Sequence, residues 1–349
     1  MLRTPAFALA GALLQLLVVC ADADGGSSGS EQLRFTNWHD KLADRRKGLY
    51  EGSTQMITLQ QSREIALSAI ARHMRARVAG AVPATTGTEI YEFGVYTGGG
   101  LRSWLRMMRR EGLRFDGRVW GFDSFEGMPS EDARFKTRLR QRDQGWLAGG
   151  LNAAEQLGVA DWETLCRTLI RNIVGGDEAL LVPPERVHMV RGFYNESLAG
   201  GRRFAARWRM KPALLVDLDC DLYTSSAQAL RFVLETGILT PGTYVYLDDI
   251  MPWVWAGGKG QPALEQKLAF EQLSAEFGLQ WEEVPLNATR RDYVYKRPVL
   301  MLTGCARCHA NREARAKRQQ ADAGGGAPTM ASAPPNCMVP GREHRRLPS

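Results

Sequence analysis

The chain has 349 residues, 44% of them hydrophobic and 24% charged, which provides a substantial core and marks a globular protein. Its formal charge of +7 does not mark a nucleic-acid binder, because residues 304–349 hold eight Lys/Arg against three Asp/Glu and the rest of the chain is close to neutral. Six cysteines, Cys20, Cys166, Cys220, Cys305, Cys308 and Cys337, lack the dense pattern of a disulfide-stapled domain and leave the redox compartment open.

The N-terminus, MLRTPAFALAGALLQLLVVCADADGG, has one early Arg, an apolar run of about fifteen residues, and small residues at Ala21 and Ala23, as a secretory signal peptide would. That run is short for a membrane span. Residues 1–23 therefore read as a signal peptide directing the chain to the secretory pathway or the extracellular space, with an organelle-targeting segment or an uncleaved anchor as the alternative. Residues 24–50, which include the Gly/Ser-rich ADADGGSSGSEQ, read as a flexible linker and lead-in.

The folded body is expected over residues 51–303. SREIALSAIARHMRARV places Ile65, Leu67, Ile70 and Met74 near helical spacing, and TEIYEFGV is a strand running into the glycine turn YTGGG. The next helix, LRSWLRMMRREG, carries Leu101, Trp104, Leu105 and Met108 on one side and arginines on the other. RVWGFDSF is a second strand, ending at Asp123. Residues 131–177 contain two helices, around LNAAEQLGV and WETLCRTLIRNIV, and read as either a lid or an enlarged crossover. RVHMVRGF and PALLVDLDCD give the third and fourth strands, SSAQALRFVLETGIL a helix, and YVYLDDI a fifth strand. This alternation implies a parallel sheet with helices on both faces. The helix ALEQKLAFEQLSAEFGL then leads to QWEEVPL and DYVYKRPVLML, a pair suited to an antiparallel edge. Residues 304–349 read as a disordered basic tail. CARCH in that tail matches the c-type haem attachment pattern, but it lies where the apolar periodicity stops and reads as a chance match.

Ligands of open α/β sheets bind beyond the carboxyl ends of the strands. At the first such end, EFGVYTGGG, Gly94, Gly98, Gly99 and Gly100 let the backbone approach a ligand above a helix N-terminus. The spacing is neither that of a dinucleotide fingerprint nor that of a P-loop, which argues against NAD and ATP. Asp123 at the second end is placed to accept from ribose hydroxyls, or else to cap a turn. LLVDLDCDLYTSS sets Asp217, Asp219 and Asp221 at every second position, so that charges which repel one another gather at the end of a buried strand and call for a cation. If YVYLDD is the neighbouring strand, Asp219, Asp221, Asp248 and Asp249 converge at one rim. All-oxygen ligands suit Mg²⁺ or Ca²⁺. Without a metal, one of these carboxyls should hold a proton; solvated carboxylates with capping roles are the alternative.

EFGVYTGGG, FDSFEGMP, GFYNESL, DLDCDLYTSS and TPGTYVYLDD, in that order, resemble the macrocin O-methyltransferase (TylF-like) family of class I S-adenosylmethionine-dependent methyltransferases over about residues 55–300. The resemblance implies an α/β, Rossmann-like class I methyltransferase fold, with a mostly parallel seven-stranded sheet, an antiparallel edge strand, and helices on both faces. It implies that S-adenosylmethionine is bound by Glu92, Gly94, Thr97, Gly98, Asp123 and Ser124. It further implies Mg²⁺ on Asp219, Asp248 and Asp249, with Asp221 as general base. The implied reaction is in-line methyl transfer to a hydroxyl of a small-molecule or sugar acceptor. Tyr96, Trp253 and Trp255 either wall the acceptor side or simply pack. Asp217 and Cys220 depart from the family pattern, standing where relatives commonly carry Arg and Gly, so the cofactor site carries over more directly than the acceptor site. The expected partners exclude nucleic acid and, unless the N-terminal segment stays uncleaved, a stable membrane span; a homo-oligomer is compatible with the sequence.

LLVDLDCD also fits the apolar-run-then-DxD pattern of haloacid-dehalogenase-like phosphatases and of DxD glycosyltransferases, but those readings leave EFGVYTGGG and FDSFEG unexplained. A catalytically inactive methyltransferase fold that binds a partner is separated from the enzyme only by turnover. The sequons at Asn195 (NES) and Asn287 (NAT) are glycan acceptors if the chain enters a secretory route.

Overall fold

The computed structural model describes residues 59–77, 88–131, 148–175, 181–250, 265–286, 298–307 and 336–340. The readings of residues 1–50, Trp253, Trp255, Asn287, Cys308 and His309 lie outside the described residues. Helix α1 (Leu59–Arg77) is followed by β1 (Glu89–Phe93), α2 (Gly99–Arg110) and β2 (Val119–Asp123). Two helices, α3 (Ala153–Leu157) and α4 (Trp162–Val174), lead to β3 (Val187–Arg191), and the short α5 (Tyr194–Ser197) and α6 (Gly201–Arg207) lead to β4 (Ala213–Leu218). Then come α7 (Tyr223–Thr236), β5 (Tyr244–Leu247), α8 (Glu265–Phe277), β6 (Leu279–Glu283), β7 (Val299–Cys305) and β8 (Cys337–Met338).

The strands form one sheet in the order β6-β7-β5-β4-β1-β2-β3-β8. All described pairings are parallel except those of β7, which runs antiparallel to both β5 and β6. The central strands EIYEF and ALLVDL are buried along their whole length, as strands covered by helices on both faces must be. Alternate side chains feed two cores: Ile90, Val119 and Leu215 join α1, α2 and α4, whereas Tyr91, Trp120 and Val216 join α7 and α8. Between β1 and β4 the strand order reverses, since β2 and β3 extend to one side and β5 to the other. That reversal opens the crevice in which such sheets bind ligands.

Two expectations change. The sheet has eight strands rather than seven, and the eighth comes from the segment read as a disordered tail. Cys337–Met338 pairs in parallel with Met189 and Val190 of β3, and a disulfide between Cys166 of α4 and Cys337 fixes it there. Periodicity could not announce a two-residue strand whose position is set by a covalent link. Cys305, the first cysteine of CARCH, lies buried at the end of β7 and is disulfide-bonded, so its sulfur is not available to a haem. The segment read as a lid or enlarged crossover is a crossover in its described part: Leu165, Cys166, Leu169 and Ile173 of α4 are buried in the core that covers β3.

Candidate active site

The glycine turn lies against the acidic end of β4. Gly94 has a φ of +93°, and a Cβ there would overlap the backbone carbonyl of Asp219, so glycine alone permits the approach. The Asp219 N–H donates to the Phe93 carbonyl at 2.8 Å, closing the same contact from the other side. Gly98, at φ +87°, caps α2, and the Thr97 carbonyl accepts from Asn172 Nδ2 of α4 at 3.3 Å. A side chain at Gly100 would overlap Glu92 Oε1, which puts the Glu92 carboxyl under the first turn of α2. Glu92 is fully buried and neither of its oxygens has a hydrogen-bond partner of good geometry. Burial first, and then the charge of Asp217, holds its pKa well above the usual carboxylate range, against the pull of Arg63.

Asp123, at the end of β2, organises two loops. Its Oδ2 accepts from the Tyr96 N–H at 2.8 Å and its Oδ1 from the Phe125 N–H at 2.7 Å. Burial raises its pKa and these backbone donors oppose the rise. The turn-capping role is therefore present, and because a carboxylate offers about four acceptor sites, it does not exhaust the group. Ser124 is turned inward and donates to the Gly127 carbonyl at 2.6 Å. Tyr96 is partly buried, with a φ of +49°.

At the carboxyl ends of β4 and β5, Asp219, Asp248 and Asp249 each offer a carboxylate oxygen, and these atoms lie within 4.8 Å of one another. This all-oxygen donor set suits a hard divalent cation. Asp221 is buried in the left-handed backbone region at φ +59°, and its N–H donates to Asp249 Oδ2 at 2.9 Å. Gln266 of α8 steadies the same aspartate: its Nε2 donates to Asp249 Oδ2 at 3.1 Å and its Oε1 accepts from the Asp249 N–H at 3.2 Å.

The cation that the alternating aspartates call for is partly supplied by the chain itself. Arg63 of α1, 6% exposed, donates from Nε to Asp217 Oδ2 at 2.9 Å and from an Nη to Asp219 Oδ2 at 2.7 Å, and its other Nη stands 3.6 Å from Asp248 Oδ1. The residue at 217 is an Asp at the buried end of β4, and the guanidinium that faces it comes from another element, α1. Asp217 also accepts from Trp104 Nε1 at 2.6 Å. Burial, with the charge of Asp248 next, raises the Asp219 pKa well above the usual range, and Arg63 opposes this. Burial likewise raises that of Asp217, again against Arg63.

Sequence reasoning brought the glycine turn, Asp123 and the aspartates to one crevice, but it missed Arg63, Trp104, Gln266 and Glu131. A signal existed for Arg63, since it falls on the helix face defined by Leu67, Ile70 and Met74, where a charge needs a partner. Glu131 is buried and binds the N-terminus of α7, accepting from the Thr224 N–H at 2.9 Å and from the Thr224 hydroxyl at 2.5 Å.

Residues 67–256, more than half of the chain, match the family described as Macrocin-O-methyltransferase (TylF). The chain belongs to the TylF family. Its members are S-adenosylmethionine-dependent O-methyltransferases, and this membership sets aside the phosphatase and glycosyltransferase readings. Among solved structures, the O-methyltransferase NovP is 18% identical, with a TM-score of 0.43, over 72% of this chain and 84% of its own. The calicheamicin methyltransferase CalS11 is 17% identical, with a TM-score of 0.41, over 86% of this chain and 94% of its own. The O-methyltransferase TomG from Streptomyces achromogenes is 14% identical, with a TM-score of 0.33, over 78% and 100%. No curated protein sequence matches the chain. Asp219, Asp248 and Asp249 are held by Arg63, Gln266 and the backbone of Asp221, whereas Cys220 is a buried free thiol that lies 3.7 Å from Ser226 Oγ.

Proposed function

We propose that this TylF-family protein methylates a hydroxyl of a small-molecule or sugar acceptor, with a divalent cation, Mg²⁺ by preference, held by Asp219, Asp248 and Asp249. The observation that carries the reading is the convergence of those three carboxylates beside the glycine turn, with ligand atoms within 4.8 Å of one another. S-adenosylmethionine supplies the electrophilic methyl, and a bound Mg²⁺ makes an acceptor hydroxyl easier to deprotonate. In this reading Glu92, Gly94, Thr97, Gly98, Asp123 and Ser124 form the cofactor side: Gly94 admits the ligand close to the backbone, and Asp123 accepts from ribose hydroxyls with its remaining lone pairs. Asp221 takes the acceptor proton, its backbone fixed by Asp249. Asp221→Asn should then leave S-adenosylhomocysteine binding intact and lower turnover by about a hundredfold or more.

Titration calorimetry with S-adenosylhomocysteine, with and without Mg²⁺, followed by a screen of hydroxylated acceptors, tests the assignment. Binding followed by oxygen methylation supports it. A folded protein that binds no S-adenosylhomocysteine in either condition overturns it.

We also infer that the chain folds on a secretory route. The Cys166–Cys337 disulfide and the disulfide-bonded Cys305 suit an oxidising compartment, in keeping with the signal-like N-terminus. Asn195 of the NES sequon is exposed and available to a glycan. A full-length chain retained reduced in the cytosol of its own cells would overturn this localisation.

A further inference from the structure

Arg63 touches both the buried base of the aspartate cluster and its open rim. Each nitrogen of its guanidinium faces a different carboxylate: Nε faces Asp217, one Nη Asp219, and the other Asp248. A guanidinium can do this because its five N–H donors lie in one rigid plane, whereas an ammonium is a single point. The arginine is itself held, its guanidinium lying 5.5 Å from the centre of the Tyr246 ring. The preceding residue, Ser62, pairs its hydroxyl with the Tyr246 hydroxyl at 3.0 Å. Asp217, fully buried, reaches no ligand and serves as the anchor at the rear, shared with Trp104 Nε1.

We propose that Arg63 is a positioning residue of the cation site: by engaging Asp219 Oδ2 and lying against Asp248 Oδ1, it fixes both carboxylates in the arrangement that, with Asp249, brings one oxygen of each within 4.8 Å of the others. This rests on the metal reading of the site given above. Asp249 is positioned independently, by Gln266 and the Asp221 N–H, so α1 and α8 each orient one side of the ligand set. Groups that orient metal ligands in this way commonly carry about ten- to a hundredfold in metal affinity. The assignment gives α1 a role in the active site that its place in the sequence, well before the glycine turn, does not suggest.

The test is Mn²⁺ binding to the full chain, followed by electron paramagnetic resonance, for the wild type, Arg63→Lys, Arg63→Met and Asp217→Asn, with Asp249→Asn as the site control. The wild type should bind Mn²⁺ at a site that Asp249→Asn removes. Arg63→Lys, which keeps the charge but not the fork, should weaken binding by about tenfold or more, and Arg63→Met should weaken it at least as much. The Mn²⁺ concentration for half-maximal turnover should rise in parallel. If Lys binds like wild type and Met binds more tightly, Arg63 is only a charge that competes with the metal, and the proposal is overturned. Lower thermal stability with unchanged Mn²⁺ affinity makes it a structural anchor alone, which also overturns the proposal. Should neither Arg63 variant fold, Asp217→Asn decides, because it loosens the arginine without touching a ligand: a several-fold loss of Mn²⁺ affinity supports the assignment, and none overturns it. A wild type that binds no Mn²⁺ removes the metal reading, and the proposal with it; this is distinct from failure of the Arg63 variants alone.

Discussion

Gly94 lies so close to Asp219 that the α-hydrogen of one residue occupies the space beside the backbone carbonyl of the other. The cofactor turn after β1 and the acidic end of β4 are therefore one packed unit. Gly94→Ala should cost about 1–3 kcal/mol for the positive φ alone, with a further penalty from displacing Asp219. Chemical denaturation should show the destabilisation, and calorimetry should show that binding of S-adenosylhomocysteine is lost. A stable Gly94→Ala protein with unchanged binding would mean that the turn can move away from β4.

Asp123 holds the turn and, in the proposed function, the ribose as well. In Asp123→Asn one carboxylate oxygen becomes an amide donor facing a backbone N–H, either that of Tyr96 or that of Phe125, which costs about 1–3 kcal/mol. A lower Tm is expected for that reason alone. The cofactor role adds a second outcome, a fall of at least about tenfold in S-adenosylhomocysteine affinity from the lost acceptor, at about 1.4 kcal/mol per tenfold. A lower Tm with undiminished affinity would leave Asp123 a capping residue only.

The central strands along the chain, the glycine turn and the paired aspartates were legible because each is written in a short contiguous stretch: an apolar run fixes the strand, and the residues just after it fix the rim. Arg63 was legible only as a charge on the apolar face of α1 that needs a partner, and not as a site residue, because its first partner, Asp217, stands 154 positions later. Its burial among aspartates is a tertiary fact. Part of the positive charge expected at LLVDLDCD is a side chain, the Arg63 guanidinium. β8 was illegible for another reason: two residues carry no period, and a disulfide spanning 171 positions sets their place.

Glu92 gives a pH signature. Its folded-state pKa is raised, by burial first and then by the charge of Asp217, so the native chain binds this proton more tightly than the unfolded chain does. The stabilisation from the neutral form is complete below the unfolded glutamate pKa of about 4.3. It is lost as pH rises from there through the raised folded pKa, because over that window the native state holds the extra proton. Glu92→Gln, neutral at every pH, should therefore gain stability relative to wild type across this window, by about 1.4 kcal/mol for each unit of the shift. Urea denaturation at a series of pH values measures the difference. A gap that stays constant with pH would show that Glu92 is not held in its neutral form.

The Cys166–Cys337 bond closes a loop across most of the domain and fixes β8 on the outer edge of β3. Cross-links of this kind usually contribute about 2–4 kcal/mol, largely by restricting the unfolded chain. Cys166→Ser should lower stability by about that amount and release the strand, exposing the unpaired edge of β3 to solvent. Because Cys305 is also disulfide-bonded, reductant alone does not isolate the effect. The comparison that does is wild type against Cys166→Ser, each with and without reductant. Wild type should lose more on reduction than the variant, and hydrogen exchange at Met189, whose N–H donates to the Asn336 carbonyl at 2.7 Å, should accelerate in the variant. The sheet from β1 to β7 rests on its own two cores and should survive, so S-adenosylhomocysteine binding should be retained. Loss of that binding in a folded Cys166→Ser protein would mean that β8 supports the crevice through β3 and is more than an edge cover.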